Sequence, residues 1–222
     1  MSAEILILRP GTVPYREALE LQQRLAARRQ RGEIGDVLLL LEHPPVYTRG
    51  RRSRPEELPM GAAWYEAQGI EVLDTDRGGL VTYHGPGQLV AYPIVHLGAY
   101  GDDVHEFVRG LERVSIETLS EHGVRAEPIE GLTGIWVGKR KIGSIGLHVS
   151  RGVTTHGLAI NVNNDLQPFE WVVPCGIEGV AMTSLTRELG AEQDLGAFAD
   201  TLVANYARVF EREPVPGDHV AT

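Results

Sequence analysis

Between residues 103 and 122, Val104, Phe107, Val108, Leu111, Val114, Ile116 and Leu119 return mostly every third or fourth position. That period gathers side chains on one face of a helix. Asp102 or Asp103 can cap its start and Gly123 its end. A second stripe, Phe198, Leu202, Tyr206, Val209 and Phe210, predicts a helix over about 195–212 with Asp194 as N-cap. Ala18, Leu21 and Leu25 predict another over 14–31. Elsewhere the apolar residues run or alternate as strands do, over 4–8, 36–43, 80–84 and 88–95. Residues 134–138, 141–149 and 153–162 read as a meander turning at Gly138-Lys139-Arg140 and Ser150-Arg151-Gly152. Helices early, central and late around many strands predict an α+β domain with a mixed, mostly antiparallel sheet. The lack of regular strand–helix alternation argues against a doubly wound fold.

Composition narrows the class. A chain of 222 residues that is 42% hydrophobic suits one domain with an ordinary core, so residues 1–222 are read as a single unit. The first ten residues lack a signal-peptide pattern, and the longest apolar run, 37–41, is far too short for a bilayer. One cysteine excludes an internal disulfide and suits a reducing compartment. The expectation is a soluble cytoplasmic protein without a membrane partner. A net charge of −9 argues against nucleic acid. Locally the balance reverses: Arg24, Arg28, Arg29, Arg31, Arg49, Arg51, Arg52 and Arg54 face only Glu33, Asp36 and Glu42. Such a stretch is either a solvated face or a dock for an acidic macromolecule.

The chemistry concentrates in a few places. Arg77-Gly78-Gly79-Leu80-Val81-Thr82-Tyr83-His84-Gly85-Pro86-Gly87-Gln88 joins two strands through a glycine-rich corner, which lets a backbone approach a ligand closely. Of 21 basic residues only Lys139 and Lys141 are lysines, and only lysine can shed its proton near neutral pH. Cys175 sits in a bend between Pro174 and Gly176, and a thiol needs a nearby base or positive charge to react. Packing alone is the other reading of that cysteine. His84, His148, His156 and Cys175 could be imagined as metal ligands, but no pair has close ligand spacing, and no metal is predicted. Neither a Walker A sequence nor G-x-G-x-x-G is present, and Gly143-Ser144-Ile145-Gly146 is no nucleophile elbow.

Together these segments resemble the lipoyl(octanoyl) transferases. The resemblance rests on Leu41-Glu42-His43-Pro44-Pro45-Val46-Tyr47-Thr48, the Arg77–Leu89 block and Lys141-Ile142-Gly143-Ser144-Ile145-Gly146. Arg151-Gly152, His156-Gly157-Leu158-Ala159-Ile160-Asn161-Val162 and Pro174-Cys175-Gly176 complete it, in order over about residues 36–185. It implies a biotin/lipoate protein ligase-like fold and a two-step transfer without a cofactor. Cys175 would take an octanoyl or lipoyl group from acyl carrier protein as a thioester, with Lys141 as the partner that lowers the thiol pKa. A lysine on a lipoyl domain of a 2-oxoacid dehydrogenase complex or of the glycine cleavage H protein would then receive it. Arg77, Gly78, Gly79, Leu80, Val81, Thr82, Tyr83 and His84 would line the acyl site with Ser144, Ile145, Gly146, Gly157, Leu158 and Ala159; Leu80, Val81 and Leu158 would be its apolar walls. Thioester exchange is nearly thermoneutral and amide formation from a thioester is downhill, so the scheme needs no ATP. The rivals are an ATP-dependent lipoate–protein ligase, an octanoyl amidotransferase and a non-catalytic acyl-binding module.

Overall fold

A computed structural model describes residues 3–172, 180–217 and 220. Its centre is an eight-stranded sheet. In chain order the strands are β1 (Ala3–Thr12), β2 (Asp36–Glu42), β6 (Gln88–Ile94), β7 (Glu127–Ile129), β8 (Leu132–Val137), β9 (Arg140–Ser150), β10 (Val153–Asn161) and β11 (Arg212–Pro216). Their spatial order is β11-β1-β2-β6-β10-β9-β8-β7. β1 runs parallel to both β2 and β11, and the remaining pairs are antiparallel. A three-stranded sheet sets β3 (Val46–Arg49) between β4 (Glu71–Asp74) and β5 (Val81–His84).

Among the described residues the five α-helices are α1 (Tyr15–Gln30), α2 (Ala62–Ala67), α3 (Val104–Glu121), α4 (Leu185–Leu189) and α5 (Leu195–Phe210). No described helix is long and apolar enough to cross a membrane. β2 shows why the large sheet is stable. Val37, Leu39 and Leu41 pack with Ala18, Leu25 and Ala26 of α1, while Leu38 and Leu40 pack with Phe107, Leu111 and Val114 of α3 and Phe198, Leu202 and Tyr206 of α5. Both faces are covered, so the strand reads as an unbroken apolar run and not as an alternation.

Both predicted N-caps stand at helix starts, α3 ends just ahead of Gly123 (φ 83°), and α5 stops slightly short of its expected end. Asp103, and not Asp102, caps α3, its Oδ1 accepting the N–H groups of His105 (2.7 Å) and Glu106 (3.3 Å). Asp194 caps α5 by accepting the Ala197 N–H at 3.0 Å. α5 ends at Phe210, short of 212, because Glu211 turns left-handed (φ 54°) and Arg212 opens β11 beside β1. In the meander, Val137 pairs with Arg140 and Ser150 with Val153, so both turns are two-residue hairpins.

Candidate active site

The glycine corner joins β5 to β6, and the segment ahead of β5 lies directly on β9. The Gly78 N–H donates to the Leu147 carbonyl at 2.8 Å. A Cβ at Gly146 would stand 2.8 Å from the Gly78 carbonyl oxygen, so the two backbones could not meet with any other residue at 146. Arg77 turns inward: it is buried, Nε and Nη2 donate to Thr48 Oγ1 (3.2 and 2.8 Å), and Nη1 donates to the Gly78 carbonyl (3.0 Å).

The other predicted lining residues divide by strand alternation. Val81 and Tyr83 pack with Tyr47, Tyr65, Phe169 and Met182 under the small sheet, and Thr82 faces Thr48 in its ladder. The Leu80 carbonyl accepts the Gly50 N–H at 3.4 Å. On β9 and β10, Ser144 pairs with Ala159, Ile145 with Leu158 and Gly146 with Gly157. Ala159 joins the cluster under α1, whereas Ile145 and Leu158 pack into the core under α3 and α5.

Between α1 and the sheets lies a buried cluster of histidine and tyrosine that spacing alone did not reveal. His43 lies between Val13 and Tyr92. Its Nδ1–H donates to the Val13 carbonyl at 2.7 Å, leaving Nε2 to accept from the Tyr92 hydroxyl at 2.8 Å. His156 Nε2–H donates to Asp76 Oδ1 at 2.7 Å, so its Nδ1 accepts from the Tyr15 hydroxyl at 3.2 Å. The ring of His148 lies 3.5 Å from the other Asp76 oxygen. His156 has φ 57°, a strained value for a residue with a side chain, and its backbone N–H is claimed by the Gln22 side chain at 2.7 Å. Burial dominates the titration of these rings. It lowers His43 to about 4, carries His84 well below its ordinary value, and lowers His156 against the pull of Asp76. Burial also raises Tyr15 to about 12. Burial thus favours the neutral form of His43, His84 and His156. Among the described residues no group of three or more His, Cys, Asp or Glu is placed to hold a metal.

A hydrogen-bonded rod links the corner to Lys141. His84 Nδ1–H donates to Gln88 Oε1 (2.7 Å), Gln88 Nε2 to Asn161 Oδ1 (2.9 Å), and Asn161 Nδ2 to the Thr183 carbonyl (3.0 Å). The Thr183 N–H then donates to the Lys141 carbonyl (2.9 Å), and the Lys141 N–H to the Ala181 carbonyl (2.9 Å). Lys141 is buried in β9, its Nζ 5.5 Å from the centroid of the Trp136 ring. Gln88 and Asn161 stand inside the quoted motifs, yet nothing in their spacing announces that they meet. Cys175 lies outside the described residues. On either side of its segment, Val172 and Val180 pack in the same cluster as Tyr83 and Met182.

The arginine-rich stretch separates into two halves. Arg28, Arg29 and Arg31 pair with Glu33 or Asp36, and Arg49 with Asp74. Arg51, Arg52 and Arg54 are exposed and make no ion pair among the described residues. The backbone N–H groups of Arg51 and Arg52 donate to the carbonyls of Arg77 (3.0 Å) and Gly79 (3.2 Å), so this turn is tied to the glycine corner.

Residues 14–207 match the family model described as the lipoyl protein ligase A/B catalytic domain. An octanoyltransferase of Chloroflexus aggregans is 50% identical over 208 residues, covering 92% of this chain and 94% of that protein. Relatives at 43–50% identity from other bacteria bear the same name. Among solved structures, a bipartite lipoate protein ligase of Thermoplasma acidophilum superposes with a TM-score of 0.70 at 17% identity, covering 100% of this chain and 91% of that one. The biotin protein ligase of Aquifex aeolicus does so at 0.53 and 13%, covering 95% and 70%. The fold is thus the biotin/lipoate protein ligase-like one. With a family model spanning most of its length and near-full-length relatives at half identity, the chain is an acyltransferase that belongs to the octanoyltransferases of the lipoyl protein ligase A/B family.

Proposed function

We propose that this protein moves an octanoyl or lipoyl group from acyl carrier protein to a lysine of a lipoyl domain, through a thioester on Cys175. The Cys175 thiolate attacks the carrier thioester carbonyl, the bond to the carrier sulfur breaks, and the departing sulfur takes a proton. The neutral amine of the acceptor lysine then attacks the acyl-enzyme carbonyl, an amide forms as the bond to the Cys175 sulfur breaks, and the proton shed by the amine returns to the released thiolate or its base. Lys141 takes the thiol proton in the first step and stands as counter-ion to the thiolate in its charged form. The observation that carries this reading is the placement of Lys141. It is a buried lysine in a chain with almost no others, clamped through both backbone groups to residues 181 and 183, shortly after the sole cysteine in sequence.

The test is intact mass spectrometry after brief exposure to octanoyl-acyl carrier protein without ATP. The expected result is one octanoyl adduct, absent in Cys175→Ala, released by hydroxylamine and passed to an acceptor lipoyl domain. No adduct, with octanoylation appearing only when ATP and free octanoate are supplied, would overturn the reading in favour of a ligase.

A further inference from the structure

α3 carries a residue that its core stripe does not explain. Glu112 lies between Leu111 and Val114, is 2% exposed, and packs where α3 meets β8 and β9. A carboxylate is costly to bury unless its oxygens are held. Here Oε2 pairs with Arg109 at 2.6 Å, one turn earlier, and Oε1 accepts the Gly134 N–H at 3.1 Å.

Gly134 is the other half of the device. It has φ 135°, a conformation L side chains rarely adopt, just ahead of a register shift between Ile135 and Trp136 on β8. A Cβ there would stand 2.6 Å from Lys141 Cε and 3.2 Å from Lys141 Nζ. The bare backbone of Gly134 is therefore one wall of the space that holds the Lys141 amine, and the Glu112 carboxylate holds that wall. We propose that Glu112 is a positioning residue for Lys141, acting through the Gly134 N–H to hold open the slot in which the amine sits. This rests on the reading that Lys141 serves Cys175.

The single cysteine makes the test clean, because iodoacetamide labelling reports on one thiol. Labelling rate is measured against pH for the parent, Lys141→Ala, Glu112→Ala, Glu112→Gln and Gly134→Ala, each below its melting temperature. Lys141→Ala is expected to slow labelling at pH 7 about tenfold, as a tenfold smaller thiolate fraction requires. Glu112→Ala and Gly134→Ala should move the profile in the same direction. Glu112→Gln should keep the parent's profile, since an amide oxygen accepts the same N–H. In steady-state transfer, Glu112→Ala should lower kcat with the acceptor KM within about twofold, because the loss is of the reacting base and not of binding. If Glu112→Ala does not fold, Gly134→Ala carries the comparison. A profile moved by Lys141→Ala and unmoved by either Glu112→Ala or Gly134→Ala would overturn the inference. A profile unmoved by Lys141→Ala itself would overturn the role given to the lysine.

Discussion

At the scale of single residues, the reading turns on what lysine can do that arginine cannot. Lys141→Arg keeps a positive charge at this position, but the guanidinium stays protonated and could not take the thiol proton that the proposed mechanism assigns to it. It must also fit a planar fork into a space bounded by the Gly134 backbone and the Trp136 ring. The expected outcome is a folded protein whose single-turnover transfer rate falls by about 10²-fold or more, the usual worth of a positioned acid–base group. A rate within a few-fold of the parent would reduce Lys141 to an electrostatic partner.

At the scale of elements, α1, β2, β6 and β10 enclose rings that must stay neutral, and this sets an acid limit on stability. His43 titrates near 4 in the folded protein against 6.5 as an unperturbed side chain. Below pH 6.5 the unfolded chain therefore binds a proton that the folded one does not, and stability is lost as pH falls towards 4. The shift is worth about 3 kcal/mol at completion. Asp76, held low first by its hydrogen bond from His156, loses its contribution only below 3.8. Urea unfolding between pH 7.5 and 4.5 should show this slope, and His43→Gln, which cannot titrate, should shallow it by close to one proton. An unchanged slope would show that His43 is not the group responsible. The same elements show what the sequence made legible. Helices α3 and α5 and the β8–β10 meander each carry their own period and punctuation, so they could be read locally. Strands β3 and β4 are four residues each, lie between prolines, arginines and polar residues, and exist only because they pair with one another and β3 pairs with β5. The cluster of Tyr15, His43, Tyr92 and His156 draws on four elements far apart in the chain, and so had no local signature. Glu112 was masked by the regularity of its own helix. The motif blocks did mark Lys141, Gln88 and Asn161, but the rod that joins them is a product of strand order.

At the scale of the whole molecule, charge is distributed against its average. The chain carries a net charge of −9, which at long range repels an acidic carrier protein. Yet Arg28, Arg29, Arg31 and Arg49 are each engaged by a nearby carboxylate, while Arg51, Arg52 and Arg54 stay exposed and make no ion pair among the described residues, on the turn bonded to the Arg77–Gly79 backbone. A short-range basic patch at the mouth of the glycine corner on an otherwise acidic surface would orient an acidic donor towards that corner and not elsewhere. Screening over about 10 Å at 0.1 M salt damps the general repulsion first, and higher salt then weakens these exposed contact pairs as well. The double reversal Arg51→Glu, Arg52→Glu should therefore raise KM for octanoyl-acyl carrier protein by about tenfold or more, while kcat/KM for a small octanoyl thioester stays within about twofold. Added salt should weaken carrier use in the parent and leave the variant nearly indifferent, because the pairs that salt screens are already gone. Equal loss on both donors would mean that the turn acts by supporting the corner, and the patch would then not be the carrier's dock.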